Sequence, residues 1–265
     1  LKTSKKKICL IHGKEINHEK GTSLNKRVLE VLNNVETVVA NSHSTKALAI
    51  KLGVQQDKII VINPGVDKIK GLDKKTLDKV DNLLKYKSPK LITVSRFDKR
   101  KNHEKVILAL RNLKQIYPNI IYICIGSGAE EKNIKKLVQE LDLESQVMFF
   151  KDISDELKNS LLAKSNIFVM PSIIYKKSVE GFGIAYIEAA HYGVPSLGGK
   201  DGGASDAIDH LKTGLICDGN ELDEIYSSIN SMLENNKYLE YGKAAKESSL
   251  KFQWEKIIEE YKKIL

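Results

Sequence analysis

The chain has 265 residues, 42% hydrophobic and 29% charged, and a formal net charge of +9 from 43 Lys and Arg against 34 Asp and Glu. That balance excludes disorder and low complexity and fits one large or two modest globular domains. The longest apolar runs, such as Ile120-Ile121-Tyr122-Ile123-Cys124-Ile125, fall far short of the roughly 20 residues that span a bilayer, and the three scattered cysteines, Cys9, Cys124 and Cys217, form neither a disulfide nor a zinc framework.

Strand-like runs fall at 7–11, 37–41, 58–62, 90–95, 120–125, 147–150, 166–170, 194–197 and 214–216. Amphipathic stretches lie between them at 24–33, 44–52, 73–84, 101–116, 130–141, 154–163, 183–191, 221–234 and 254–264. Several strands lack in-out alternation, as expected when both faces of a parallel sheet are covered. The alternation of strand and helix predicts an α/β fold, a Rossmann-type parallel sheet with helices on both faces. The thiols read as buried in a reducing cytoplasm, and no secretory h-region follows Lys5-Lys6-Lys7.

The organisation changes at Asn63-Pro64-Gly65-Val66-Asp67. Residues 1–64 read as the remnant of one Rossmann-like domain and 65–245 as a complete second one. Residues 246–265 read as a C-terminal helix packing back toward the first part. Half a parallel sheet leaves an unpaired edge, and the chain begins with Leu1. The expectation is a fragment, or a mature product, that lacks an N-terminal segment. The alternative is that the first 62 residues pack directly on the second domain.

Glu180-Gly181-Phe182-Gly183-Ile184-Ala185-Tyr186-Ile187-Glu188 is the most informative run. It follows the strand end Val169-Met170-Pro171-Ser172 and precedes the helix stop Gly193-Val194-Pro195. A glycine turn and a helix start thus meet at the carboxyl edge of the sheet, where nucleotides bind in such folds. Helix N-terminal amides suit a diphosphate. Carboxylates accept hydrogen bonds from ribose and sugar hydroxyls.

Other strand ends add weaker signals. Arg96 and Lys101, in Ser95-Arg96-Phe97-Asp98-Lys99-Arg100-Lys101-Asn102, read either as a diphosphate clamp or as a solvated basic turn, since Lys99 and Arg100 are cationic too. Ile125-Gly126-Ser127-Gly128 permits close ligand approach or is a plain turn, and it is not a Walker loop. Gly198-Gly199-Lys200-Asp201-Gly202-Gly203 reads as a ligand-edge loop. His12, in His12-Gly13-Lys14-Glu15, either reaches an interdomain cleft as a proton carrier or sits on a surface loop. His18, His43, His103, His191 and His210 show no partner pattern, and Trp254 reads as a core or interdomain anchor.

Together these motifs resemble the retaining, GT-B-fold glycosyltransferases of family 4, the group 1 glycosyltransferases. Arg96 with Lys101, Glu180-x7-Glu188 after Met170-Pro171-Ser172, and Gly193-Val194-Pro195 occur in that family's order. Asn63-Pro64-Gly65-Val66-Asp67 resembles its interdomain link, and His12-Gly13-Lys14-Glu15 resembles a strand end of its acceptor domain. The resemblance implies a GT-B fold with a complete donor domain and a partial acceptor domain. It implies that Glu188 holds the ribose, Glu180 the transferred sugar, and Arg96 and Lys101 the diphosphate. The backbone of Gly181, Phe182, Gly183 and Ile184 would face sugar and phosphate. Ser95 and Gly126 would line the donor side, Asp152 and Ile153 would face the base, and His12 would lie near the reacting sugar. It further implies no cofactor and no metal, a UDP- or GDP-sugar donor, and a glycan or lipid-linked acceptor in bacterial glycan synthesis. A cytoplasmic location with peripheral contact on the inner membrane face goes with the positive charge.

The family's glycine-rich loop has no counterpart before Lys7, and Lys200-Asp201-Gly202-Gly203-Ala204-Ser205-Asp206 stands where a Pro-Glu is usual. Two rivals stay open. One is another GT-B enzyme, a phosphorylase or nucleotide-sugar epimerase. The other is a non-catalytic nucleotide or nucleic-acid module, although neither basic-aromatic interleaving nor a helix-turn-helix or zinc-finger spacing supports nucleic acid.

Overall fold

Two parallel sheets organise the computed structural model, which describes residues 6–68 and 71–265. Residues 1–5 of the expected N-terminal remnant and 69–70 beyond the linker lie outside the described residues. The first sheet runs β1 (Ile8–Ile11), β2 (Thr37–Ala40) and β3 (Ile59–Val61) in that order, with Ile8 opposite Thr37 and Val38 opposite Ile59. Its crossovers are α1 (Ser23–Asn33) and α2 (His43–Leu52), and the Thr22 and Ser42 hydroxyls cap them.

The second sheet has six strands in the order β6-β5-β4-β7-β8-β9. These are β4 (Lys90–Val94), β5 (Ile121–Ile125), β6 (Val147–Phe150), β7 (Ile167–Met170), β8 (Ser196–Gly199) and β9 (Gly214–Cys217). Order reverses between β4 and β7, so their carboxyl ends flank a topological switch point. Helices α3 (Lys74–Leu83), α6 (Asp155–Ala163) and α7 (Ile184–His191) cover one face, while α4 (His103–Ile116), α5 (Glu131–Glu140) and α9 (Leu222–Leu233) cover the other. Strand residues divide between two cores accordingly. Leu91, Tyr122, Cys124 and Val169 face α4 and α9, and Ile92, Ile123, Phe168 and Met170 face α6 and α7. Burying each such side chain stabilises the fold by about 1.5–3 kcal/mol, which is why these strands need no polar face.

Short α8 (Ala204–Ala207) and α10 (Lys237–Ser249) complete the second sheet's surroundings. Helix α11 (Trp254–Lys262) leaves them and lies on the first sheet, where Ile257 joins Val39 and Ile62. The linker and the returning chain run side by side. Val66 N–H donates to Phe252 O at 2.8 Å, and Trp254 N–H donates to Val66 O at 3.3 Å. A Cβ on Gly65 would overlap the Trp254 ring, so glycine lets the indole lie flat on the linker.

Three local expectations change. Helix α4 begins at His103 and not at 101, because the Asp98 carboxylate caps a 3-10 turn over Lys99–Lys101 and Asn102 adopts φ 65°. Strand β8 lies two residues downstream of 194–197 and takes in Gly198 and Gly199. Helix α10 had no counterpart among the sequence-predicted helices.

Candidate active site

The loop after β7 and the turn after β4 meet at one carboxylate. Glu180 Oε2 accepts from Arg100 Nη1 at 2.7 Å and from Lys101 Nζ, and Ser172 Oγ stands 3.5 Å away. All three charged side chains are about nine-tenths buried, with 8% of Arg100, 11% of Lys101 and 10% of Glu180 exposed. Lys101 Nζ also lies 3.4 Å from Met170 Sδ. Burial raises the Glu180 pKa, but Lys101 and Arg100 together outweigh it and hold the carboxyl below its ordinary value. Burial also drives the Lys101 ammonium below its ordinary value, against the pull of Glu180. Two cations share one carboxylate, so the cluster carries a net positive charge out of water. Among the described residues, Arg100 Nε has no hydrogen-bond partner. This arrangement is suited to receive an anion.

Arg100 therefore corrects the reading of a solvated basic turn. It is buried in the cluster, whereas Arg96 stands in solvent, 76% exposed and 3.6 Å from Asp98. Of the sequence-expected pair, Lys101 is in contact with Glu180 and Arg96 is not.

Glu180 leads into the start of α7. Gly183 takes φ 90°, a left-handed conformation open to glycine, and a Cβ there would strike the Tyr186 ring. Tyr186 is buried and donates its hydroxyl proton to Met170 O at 2.7 Å, which ties α7 to the end of β7. Like α4, α5, α9, α10 and α11, α7 has no side-chain cap, and its N-terminus opens beside the Glu180 cluster. Free amides at a helix N-terminus suit an anion. Ile184, the first helical residue, is exposed, while the Phe182 ring is buried against Phe252 at 5.5 Å between centroids.

Glu188 lies one turn further along α7, half-exposed, with Oε1 3.7 Å from Lys158 Nζ. It lines a cleft of about 330 Å³ with Asp155, Lys158, His191 and Tyr192, closed at the linker end by Lys68 and Trp254. Asp152 and Ile153 follow β6, and Asp152 is held at φ 51°. Trp254, read as a core or interdomain anchor, both packs on the linker and borders this cleft.

His12 follows β1 and is exposed, and its backbone N–H donates to Glu15. A Cβ on Gly181 would overlap His12 O, so only glycine lets the first sheet's strand end approach the residue beside Glu180. Ser95 and Gly126 meet backbone to backbone at the ends of β4 and β5, where a Cβ on Gly126 would overlap Ser95 O. The expected ligand-edge loop at 198–203 is corrected. Gly198 and Gly199 are strand residues, and a Cβ on Gly199 would overlap Ser172 O. Gly202 and Gly203 press on the backbone of Glu180 and Gly181, with Gly203 N–H donating to Glu180 O at 2.8 Å. These glycines brace the Glu180 loop from behind.

One contact had no sequence signal. The Asp206 carboxylate accepts from His43 N at 2.9 Å and pairs with His43 Nδ1 at 2.8 Å, and Asn63 Nδ2 lies 3.3 Å away. It pins the start of α2 and the linker to α8. His43 shows no partner pattern in the sequence because the contact joins elements some 160 residues apart.

The family model described as Glycosyl transferases group 1 matches residues 74–248. A GDP-mannose-dependent alpha-(1-6)-phosphatidylinositol monomannoside mannosyltransferase of Mycolicibacterium smegmatis is 30% identical over 147 residues, 55% of this chain and 38% of that protein. The human alpha-1,3/1,6-mannosyltransferase ALG2 is 29% identical over 175 residues, 60% of this chain and 40% of that protein. The chain thus spans less than half the length of these curated relatives. Anabaena Alr3699/HepE, solved in complex with UDP, superposes with a TM-score of 0.83 at 21% identity, covering 97% of this chain and 71% of that one. A glycosyltransferase from Rickettsia africae superposes at 0.80 with 22% identity, covering 97% and 69%.

Proposed function

The chain belongs to the group 1 glycosyltransferases and has their GT-B fold, and from that premise we propose that its second sheet binds a nucleotide-diphosphate sugar and serves its transfer, with retention, to a hydroxyl acceptor. The observation that carries this reading is the convergence of Arg100 and Lys101 on Glu180 beside the uncapped start of α7. Glu188 receives the ribose hydroxyls in the α6–α7 cleft, near Asp152 and Ile153, which face the base. The diphosphate lies against the amides of Gly183 and Ile184. Arg96, exposed beside Asp98, swings onto the diphosphate, which competes with Glu180 for Lys101. Glu180, so released, accepts hydroxyls of the transferred sugar, while His12 and Gly181 border the reacting carbon.

The chemistry follows from charge. As the glycosidic bond breaks, negative charge grows on the leaving diphosphate. Fixed cations and helix amides stabilise that charge without a resident metal. Removing one such group costs on the order of 2–4 kcal/mol in the barrier. A GDP-mannose-dependent relative and a neighbour solved with UDP support a GDP- or UDP-sugar donor. A glycan or a lipid-linked acceptor in bacterial glycolipid or polysaccharide synthesis fits the phosphatidylinositol mannoside relative. Among the described residues no helix is long and apolar enough to cross a membrane, and net charge +9 supports peripheral contact on a cytoplasmic face.

The test is slow hydrolysis of an α-linked UDP- or GDP-hexose followed by NMR. The proposal predicts first release of the α-anomer and loss of that activity in Glu180→Gln. First release of the β-anomer would contradict retention, and steep salt-dependent DNA binding with no nucleotide affinity would favour a nucleic-acid module.

A further inference from the structure

We propose that the hairpin at 173–178 is the part of the molecule that inserts at the surface of an anionic lipid bilayer, a step that rests on the membrane-facing reading above but on different residues from the donor site. The segment is a tight turn closed on itself. Tyr175 N–H donates to Ser178 O at 3.1 Å, Ser178 N–H returns to Tyr175 O at 2.9 Å, and Lys176 at its tip takes φ 55°. It is also anchored on both sides. Ile173 N–H donates to Arg100 O at 3.0 Å, next to the Glu180 cluster, and Asn17 Nδ2 donates to Lys177 O at 2.8 Å from the first sheet's loop. The hairpin therefore stands fixed at the junction of the two sheets, at the opening above Glu180.

Its side chains are wrong for an ordinary solvated turn. Ile174 and Tyr175 project into solvent, 53% and 37% exposed. Lys99 and Lys176 each place Nζ 5.6 Å from the centre of the Tyr175 ring. Among the described residues neither lysine has a carboxylate within ion-pair distance, whereas Lys177, the next residue of the hairpin, pairs with Glu19 at 3.3 Å. On the facing loop Lys14 and Lys20 are exposed, and so are Glu15 and Glu19. The result is an aliphatic and an aromatic side chain at the tip of a rigid projection, flanked by the ammonium groups of Lys99 and Lys176. Tyr favours the membrane–water interface, aliphatic tips enter the acyl boundary, and lysines gain attraction to anionic headgroups. Docked this way, the opening beside Glu180 faces the bilayer, where the hydroxyl of a lipid-borne acceptor is presented.

The test is flotation of the protein with vesicles of equal parts phosphatidylglycerol and phosphatidylcholine, and with phosphatidylcholine alone. Wild type is expected to float with the anionic vesicles only. Ile174→Ser with Tyr175→Ser, and separately Lys99→Glu with Lys176→Glu, are expected to lower partitioning on the order of tenfold or more. Lys132→Glu with Lys243→Glu, the same charge change elsewhere, is expected to leave it within about twofold. No flotation of wild type, retention by both hairpin variants, or equal loss in the control would overturn the inference. Nucleotide titration of the same proteins separates the two claims. Binding of UDP or GDP with no flotation sinks the hairpin alone, and absence of nucleotide binding sinks the donor reading.

Discussion

Arg100 Nη1 stands 2.7 Å from Glu180 Oε2 with both side chains about nine-tenths buried, and Lys101 shares the same oxygen. Neutralising the carboxylate leaves two buried cations facing each other. Glu180→Gln is therefore expected to lower stability by about 3–5 kcal/mol, the range for losing one partner of a buried ion pair. Chemical denaturation read by far-UV circular dichroism checks it, and a change under about 1 kcal/mol would mean that the cluster is open to water in solution.

Arg96 and Arg100 are expected to part in their effects. Arg96 is exposed and, among the described residues, its ion pair is with Asp98 at 3.6 Å, so Arg96→Ala leaves the melting temperature unchanged while weakening diphosphate binding. Arg100→Met leaves Glu180 with Lys101 alone and is expected to unfold at lower denaturant. Equal melting temperatures for both variants would place Arg100 outside the structural role given to it.

Gly181 separates His12 O from the Glu180 loop. Gly181→Ala forces that contact apart and is expected to cost about 1–3 kcal/mol, as overpacking does. Thermal melting measures it. Gly21→Ala is a poor control because Gly21 has φ 87°, whereas Gly71, where a Cβ would meet nothing within 4 Å among the described residues and φ is not left-handed, is a fair one.

His103 gives a pH dependence of definite sign. Burial drives its imidazole from 6.5 down to about 3, and it packs edge-on to Phe97 at 4.8 Å. The folded pKa is lower than the unfolded one, so this contribution is complete above about pH 6.5 and is lost as pH falls toward 3. By pH 3 the loss approaches about 4–5 kcal/mol. His103→Leu is expected to flatten that part of the stability–pH curve. An unchanged slope between pH 6.5 and 4 would show that the ring reaches water.

The strands were legible because unbroken apolar runs such as 120–125 are buried on both sheet faces, which no other short element demands. The Glu180–Glu188 loop was legible because its glycines and carboxylates sit close in sequence. Helix α10 was not. Its buried face is Tyr241, Gly242, Ala245 and Ser249, too small and polar to give an apolar stripe, because α10 presses its backbone at Gly242 onto Gly193 O. The β8 glycines read as a loop since their purpose, clearance for Ser172 O, is a contact across the sheet. Arg100 was hidden as one of four cationic side chains in the 96–101 turn. Which of them points inward depends on the Asp98-capped 3-10 turn and on Glu180, 80 residues away.

The central claim, that α7 and the Glu180 cluster bind a nucleotide diphosphate, is tested most directly by calorimetric titration with UDP, GDP and ADP in the absence of metal, on wild type, Glu188→Ala and Arg96→Ala. The account predicts that one of these nucleotides binds wild type and that both variants bind it at least about tenfold more weakly, a loss of about 1.4 kcal/mol or more. Equal affinity in Glu188→Ala and wild type, or heat from none of the three nucleotides, would contradict it.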